Sequence, residues 1–271
     1  MSENFIRDPQ SRHLQWMGSL LAFAVYVFLL APIAVVVPMA FGSANELSFP
    51  PSNYSLELFR QFLSSSAWTG PLLQSAKVAC ISTVIVLLMG VPAAYGIARF
   101  QFPGRGLIMG AMLSPLIIPS VVTALGFYLY FSYLRINGTT LALVLGHVMH
   151  TLPYVLVMIV AGIQKLDRNL EFGAQLMGAG RFRMFRTVVL PQLVPSLIGA
   201  GLFAFLISFD EVVISWFLSG PTTATLPVKM YSAIRWEISP IIAAVSTLLT
   251  GISLVVCLIM VALKKTTPAQ G

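Results

Sequence analysis

An all-helical polytopic membrane protein with six transmembrane helices is the fold class this sequence predicts, on three observations. Apolar residues make up 57% of the 271 positions and charged residues 9%, whereas a soluble domain carries roughly 25% charge. Mean hydropathy is +0.87. The apolar residues also gather into six runs, each about 20 residues or longer, the length a helix needs to cross the hydrocarbon layer.

The elements follow in chain order. Residues 1–16 are polar and read as a tail. The first run, 17–41, exceeds the roughly 7–15 residues of a signal-peptide core and has no convincing cleavage site, so it reads as a retained span. Further spans are expected at about 70–98, 107–131, 139–163, 193–218 and 240–263, giving a membrane domain over 17–263 and a second tail at 264–271. Pro32, Pro38, Pro92, Pro115, Pro119 and Pro153 lie inside or at the ends of these runs. Such breaks are tolerated where neighbouring helices or water satisfy the freed carbonyls. Residues 138–140 read as an outer turn.

Orientation follows from Lys and Arg. With the N-terminus inside, the inner segments hold Arg7, Arg12, Arg99, Arg105, Lys165, Arg168, Arg181, Arg183, Arg186, Lys264 and Lys265. The outer segments hold Arg60, Arg135, Lys229 and Arg235, with Lys77 near an outer span end. Eleven against four is a positive-inside bias that places both termini in the cytoplasm and 42–69 and 220–239 outside. The same placement explains a pI near 9.7 without a nucleic-acid partner. Cys80 and Cys257 sit within apolar runs without metal-ligand spacing and read as inert core or lipid-facing residues.

The loop at about 164–192 departs from a simple basic connection. After Lys165, Asp167 and Arg168, the residues Leu170, Ala174 and Met177 recur at helical spacing. Gly178 and Gly180 stop or bend that helix, and Pro191 and Pro195 mark the start of the fifth span. Positive-inside topology needs charge alone; it does not need a short amphipathic helix, a glycine at its end and a Leu-Pro return.

Asp210 and Glu211 lie about fifteen residues into the fifth run, a depth at which a charge costs several kcal/mol. Two readings stand. One carboxylate pairs internally or holds a neighbouring subunit, or at least one faces a wet path and attracts a cation. Neighbours on a helix point about 100° apart, so a continuous helix puts Asp210 on a face with Phe203, Ile207 and Ile214, and Glu211 on one with Ile207 and Ser215. His147 and His150 are three apart without a third ligand nearby, which favours hydrogen bonding between helices over a metal site. Tyr128, Tyr130, Phe131 and Tyr133 read as an interfacial belt or an aromatic path lining. Trp236 and Glu237 fall in the last outer loop.

These residues carry a resemblance. The loop is similar to the coupling loop of inner-membrane permease subunits of binding-protein-dependent ATP-binding-cassette importers, whose pattern is Glu-Ala-Ala, three residues, Gly, nine residues, Ile-x-Leu-Pro. Here Phe172, Gly173 and Ala174 occupy the Glu-Ala-Ala positions, Gly178 the glycine, Val188 the Ile place, and Leu190 and Pro191 the Leu-Pro. Glu171 stands one residue before the motif's Glu position. The stretches Phe209–Ser215, Ser219–Pro221 and Thr225–Met230 resemble the second permease subunit of spermidine/putrescine importers; relatives in that group move opines and amino-acid-like solutes as well.

The resemblance implies a type I importer permease fold in a bacterial inner membrane. It further implies a coupling surface on Glu171, Phe172, Gly173, Ala174, Gly178, Arg181, Leu190 and Pro191, and a substrate path past Asp210 or Glu211. The implied partners are a homologous second permease, two cytoplasmic ATPases holding ATP and Mg, a periplasmic solute-binding protein and membrane lipid. No G-x-x-x-x-G-K-[ST] occurs in the chain, so nucleotide is expected on another subunit, with no cofactor or metal here. Two other classes set the contrast. A proton-driven carrier using Asp210 or Glu211 would need no coupling loop and usually shows an internal repeat. A membrane-embedded enzyme would need a nucleophile–base or metal constellation that the sequence lacks.

Overall fold

The structure, a computed structural model, describes residues 9–43, 48–237 and 239–265. Arg7 lies outside the described residues, as do the side chains of Arg12, Lys264 and Lys265. Among the described residues twelve α-helices run in chain order. They are α1 (Pro9–Met39), α2 (Glu57–Ser64), α3 (Ser66–Arg99), α4 (Arg105–Leu113), α5 (Ser120–Tyr133) and α6 (Thr140–Gln164). Then come α7 (Arg168–Leu176), α8 (Arg181–Met184), α9 (Leu190–Phe209), α10 (Val213–Leu218), α11 (Leu226–Ser232) and α12 (Ile241–Lys265).

Among the described residues, four helical stretches are long and apolar enough to cross a membrane: Trp16–Met39, Ser66–Arg99, Thr140–Gln164 and Arg181–Phe209. A bent pair makes a fifth if its two pieces count as one span.

Two expected spans are corrected. The span at 107–131 is not one straight helix: Arg105–Leu116 and Ser120–Tyr133 meet at 103°. Pro115 and Pro119 each remove a backbone donor, and Pro119 holds the extended ψ of 132° that ends the first piece. The span at 193–218 begins earlier and ends sooner. Its helix starts at Arg181, passes a π-turn at Phe185–Val189 and stops at Phe209, with α10 separate. The π-turn precedes Pro191, whose ring and missing N–H would otherwise meet the carbonyl of Thr187.

The chain divides into two compact units, Met1–Ser64 with Ser239–Gly251 and Ser65–Ile238 with Ile252–Gly271. In the first, Ala40, Leu58, Ala243 and Ala244 are buried together, and the Phe41 and Phe59 rings lie 5.2 Å apart. Residues 16–35 of α1 are exposed in this chain. A helix apolar all round requires lipid or neighbouring helices to cover it.

The second unit is built on α3, α6 and α9. Val78, Val86, Leu143, Ile159, Leu193 and Ala204 are fully buried among them. Without a hydrophobic drive between helices in lipid, close approach through small residues supplies the packing. A Cβ placed on Gly162 would come within 2.5 Å of Ser196 Oγ, and one on Gly146 within 2.6 Å of Leu218 Cδ1. Polar ties cross the same seams: Gln74 Nε2 donates to Thr140 Oγ1 (3.0 Å) and Ser82 Oγ to the Val144 carbonyl (3.3 Å).

Candidate functional site

Two places carry polar chemistry inside this apolar frame. The first is α7, the helix expected in the 164–192 loop. Asp167 caps its start, accepting from Asn169 N at 2.9 Å. Its end is a Schellman turn: Gly178 N donates to Gln175 O (2.9 Å) and Ala179 N to Ala174 O (3.0 Å). Gly178 sits at φ +85°, a conformation L side chains rarely adopt, and a Cβ there would meet nothing within 4 Å. Within this chain Gly178 therefore serves the turn and not a close approach.

The turn sorts the coupling candidates into two sets. Ala174 is buried, Gly173 is half-buried and Leu190 packs on the core. Phe172, Arg181 and Pro191 are exposed. Beside them Leu176, Met177 and Phe182 are 90%, 85% and 78% exposed, an apolar knob standing clear of the bundle.

Glu171 stands apart from the other coupling candidates. It does not face outward with the coupling surface but is 8% exposed and turned into the bundle. Its Oε1 lies 2.6 Å from Arg99 Nη2, and Tyr95 Oη donates to Oε2 at 2.8 Å. Arg99 Nη2 also donates to Leu166 O at 3.1 Å. The reason is helical phase: one step from position 172 to 171 turns a side chain about 100°, here from solvent to the end of α3. The result is a brace between α3 and α7. Tyr95 adds an edge contact to Phe185, with centroids 4.9 Å apart, and so reaches the π-turn as well. A cleft of about 230 Å³ opens beside the brace, lined by Tyr95, Arg99, Arg168, Phe172, Gln175 and Arg181. Tyr95 and Arg99 were missed as partners of the loop; nothing local in the sequence marks a contact across 72 residues.

The second place is the gap between α9 and α10. The helix stops at Phe209, and Asp210, Glu211 and Val212 are not helical. The shared faces expected for Asp210 with Ile214 and for Glu211 with Ser215 therefore do not exist. Glu211 is held at both oxygens: Oε1 accepts from Ile214 N at 2.9 Å, capping α10, and Oε2 lies 3.1 Å from His150 Nε2. His147 holds both flanks, with Nδ1 2.7 Å from Ser208 Oγ and Nε2 2.9 Å from Ser215 Oγ. His147 thus hydrogen-bonds to residues on α9 and α10, while His150 pairs with Glu211 in the break between them.

Asp210 is different. Its side chain is exposed and has no hydrogen bond or ion pair among the described residues. Near the break, Tyr154 stacks edge-on to His150 and to Phe203, each with centroids 6.0 Å apart. Tyr128, Tyr130 and Tyr133 are exposed on α5, whereas Phe131 is buried and faces neither a belt nor a path. Trp236 is 77% exposed, while Glu237 pairs with Lys229 Nζ at 3.1 Å.

The chain belongs to the family of binding-protein-dependent transport system inner membrane components, whose model matches residues 87–266. It is the multi-pass permease subunit of such an importer. Among curated proteins it is 28% identical to the spermidine/putrescine transport system permease protein PotC of Escherichia coli K12, covering 86% of this chain and 88% of PotC. It is 30% identical to the putrescine transport system permease protein PotI of the same strain, covering 83% of each. Its fold matches a chain of a bacterial ABC transporter that imports the acidic polysaccharide alginate, with TM-score 0.75 and 14% identity over 97% of this chain and 99% of that one.

Proposed function

We propose that this chain forms half of the translocation path for a small cationic solute, a polyamine, in an importer driven by ATP hydrolysis on a partner subunit. The observation that carries the reading is Asp210, an exposed carboxylate without a partner among the described residues, at the helix break that directly follows the apolar stretch Arg181–Phe209. A carboxylate left without a protein partner at the end of an apolar helix can pair with water and with a passing ammonium group. A polyamine is protonated at neutral pH, and Tyr154 and Phe203 offer ring faces to it nearby. The names of PotC and PotI agree with that substrate class. The alginate transporter carries an acidic polymer on the same fold, so the fold itself does not choose the solute.

In this reading the apolar knob of Phe172, Leu176, Met177 and Phe182 seats in a groove of a cytoplasmic ATPase, with Arg181, Arg183 and Arg186 around it. Two such ATPases, holding ATP and Mg, close and move α7 as a lever. A homologous second permease completes the path and a periplasmic binding protein delivers the solute. This chain itself does no covalent chemistry. Six spans with both termini in the cytoplasm place the knob on the ATPase side; α12 is the sixth.

The test is uptake by the whole importer reconstituted in vesicles with the Asp210→Asn subunit, which keeps side-chain size and removes charge. Polyamine uptake is expected to fall at least tenfold while the ATPase still co-purifies. Uptake at the normal rate in an assembled Asp210→Asn complex would sink the cation path.

A further inference from the structure

Two adjacent carboxylates at a helix break would form a doubly charged site, yet the structure offers only one of them. Both Glu211 oxygens are engaged, Oε1 by Ile214 N at 2.9 Å and Oε2 by His150 Nε2 at 3.1 Å. The backbone contact alone leaves the second oxygen open, so His150 is the group that removes it. His150 is itself set by its neighbours on α6: His147 pins Ser208 and Ser215 on either side of the break, and Tyr154 packs against the His150 ring. Ser208 and Ser215 are held by His147 and Glu211 by His150 and Ile214 N, and Asp210 is left exposed.

We propose that His150 is a specificity-determining positioning residue: by pairing through Nε2 with Glu211 Oε2 (3.1 Å) it withdraws that carboxylate, so the path meets each solute with one carboxylate and not an adjacent pair. The proposal rests on the cation-path reading of Asp210 and adds the valence that the path recognises. A single carboxylate suits one ammonium group at a time and lets it leave again. A freed pair would hold two neighbouring charges of the same solute and favour the more highly charged amine. His150 acts through Glu211 and touches no solute.

The experiment compares kcat/KM for spermidine and for putrescine in vesicles containing the whole importer. His150→Ala frees Glu211 and should raise the spermidine-to-putrescine ratio about tenfold, the scale of one added charge-assisted hydrogen bond. His150→Gln keeps an N–H donor near the Nε2 position and should keep the normal ratio. The pair His150→Ala/Glu211→Gln should return to it, because the freed group no longer carries charge. Glu211→Gln alone still accepts from Ile214 N and should also keep the ratio. An assembled His150→Ala complex with an unchanged ratio overturns the proposal, and so does a Glu211→Gln complex whose ratio shifts. Where His150→Ala does not assemble, Glu211→Gln decides. Normal uptake by Asp210→Asn would instead defeat the path reading, whereas lost uptake there with a flat His150→Ala ratio defeats only the role of His150.

Discussion

Replacing Glu171 by Ala should release α7 from the end of α3. The Arg99 and Glu171 side chains are 9% and 10% exposed, and their charged atoms lie 2.6 Å apart. Removing one partner of a buried pair costs roughly 3–5 kcal/mol, because the other charge is left uncompensated. Arg99 keeps its bond to Leu166 O, and the site lies at a helix end near water, so the lower figure of about 3 kcal/mol applies. At about 1.4 kcal/mol per factor of ten, that is a shift of more than a hundredfold toward an undocked α7. Tyr95→Phe removes one hydrogen bond to a charged acceptor and should cost about half as much, roughly 1.5 kcal/mol. The double change Arg99→Met/Glu171→Leu removes both charges and should recover most of the loss, since apolar replacements of buried pairs are often neutral.

The assay is limited proteolysis across 168–180 in the purified importer, followed with the retained ATPase activity. Glu171→Ala should be cut much faster and lose solute-stimulated hydrolysis; the double variant should resist cutting. A Glu171→Ala importer cut at the normal rate would refute the brace, as would a double variant no better than the single one.

Gly178→Asp fits within this chain but takes a residue with a Cβ to φ +85°, at about 1 kcal/mol. The subunit should remain membrane-folded while ATPase co-purification falls; unchanged solute-stimulated hydrolysis would count against the knob. Gly146→Val should be worse for the fold, because its Cβ would lie 2.6 Å from Leu218 and 3.0 Å from Ile214. Overpacking of that kind costs roughly 1–3 kcal/mol and should lower the yield of folded subunit measured by size-exclusion chromatography. Reporter fusions after Arg105, Arg183 and Lys265 should read as cytoplasmic, and those after Asn53 and Lys229 as external. An external Arg183 would separate the knob from any ATPase.

Composition and run length determined the membrane class, and the spacing from Ala174 through Gly178 to Leu190 and Pro191 determined the helix, turn and return of the 164–192 loop. Both are local or cumulative properties: burial in lipid follows from apolar length, and a Schellman end follows from one glycine. The bend at Pro115 and Pro119 was visible as two prolines but not as an angle, because an angle depends on what the two pieces pack against. The fate of the carboxylates was decided only in three dimensions. Glu171 became a brace because helical phase turned it toward Arg99, which is 72 positions away. Glu211 was taken by His150 and by the start of a new helix, while Asp210 was left open, because the chain breaks between α9 and α10. Periodicity assumes an unbroken helix, so it assigned faces to Asp210 and Glu211 that the break removes.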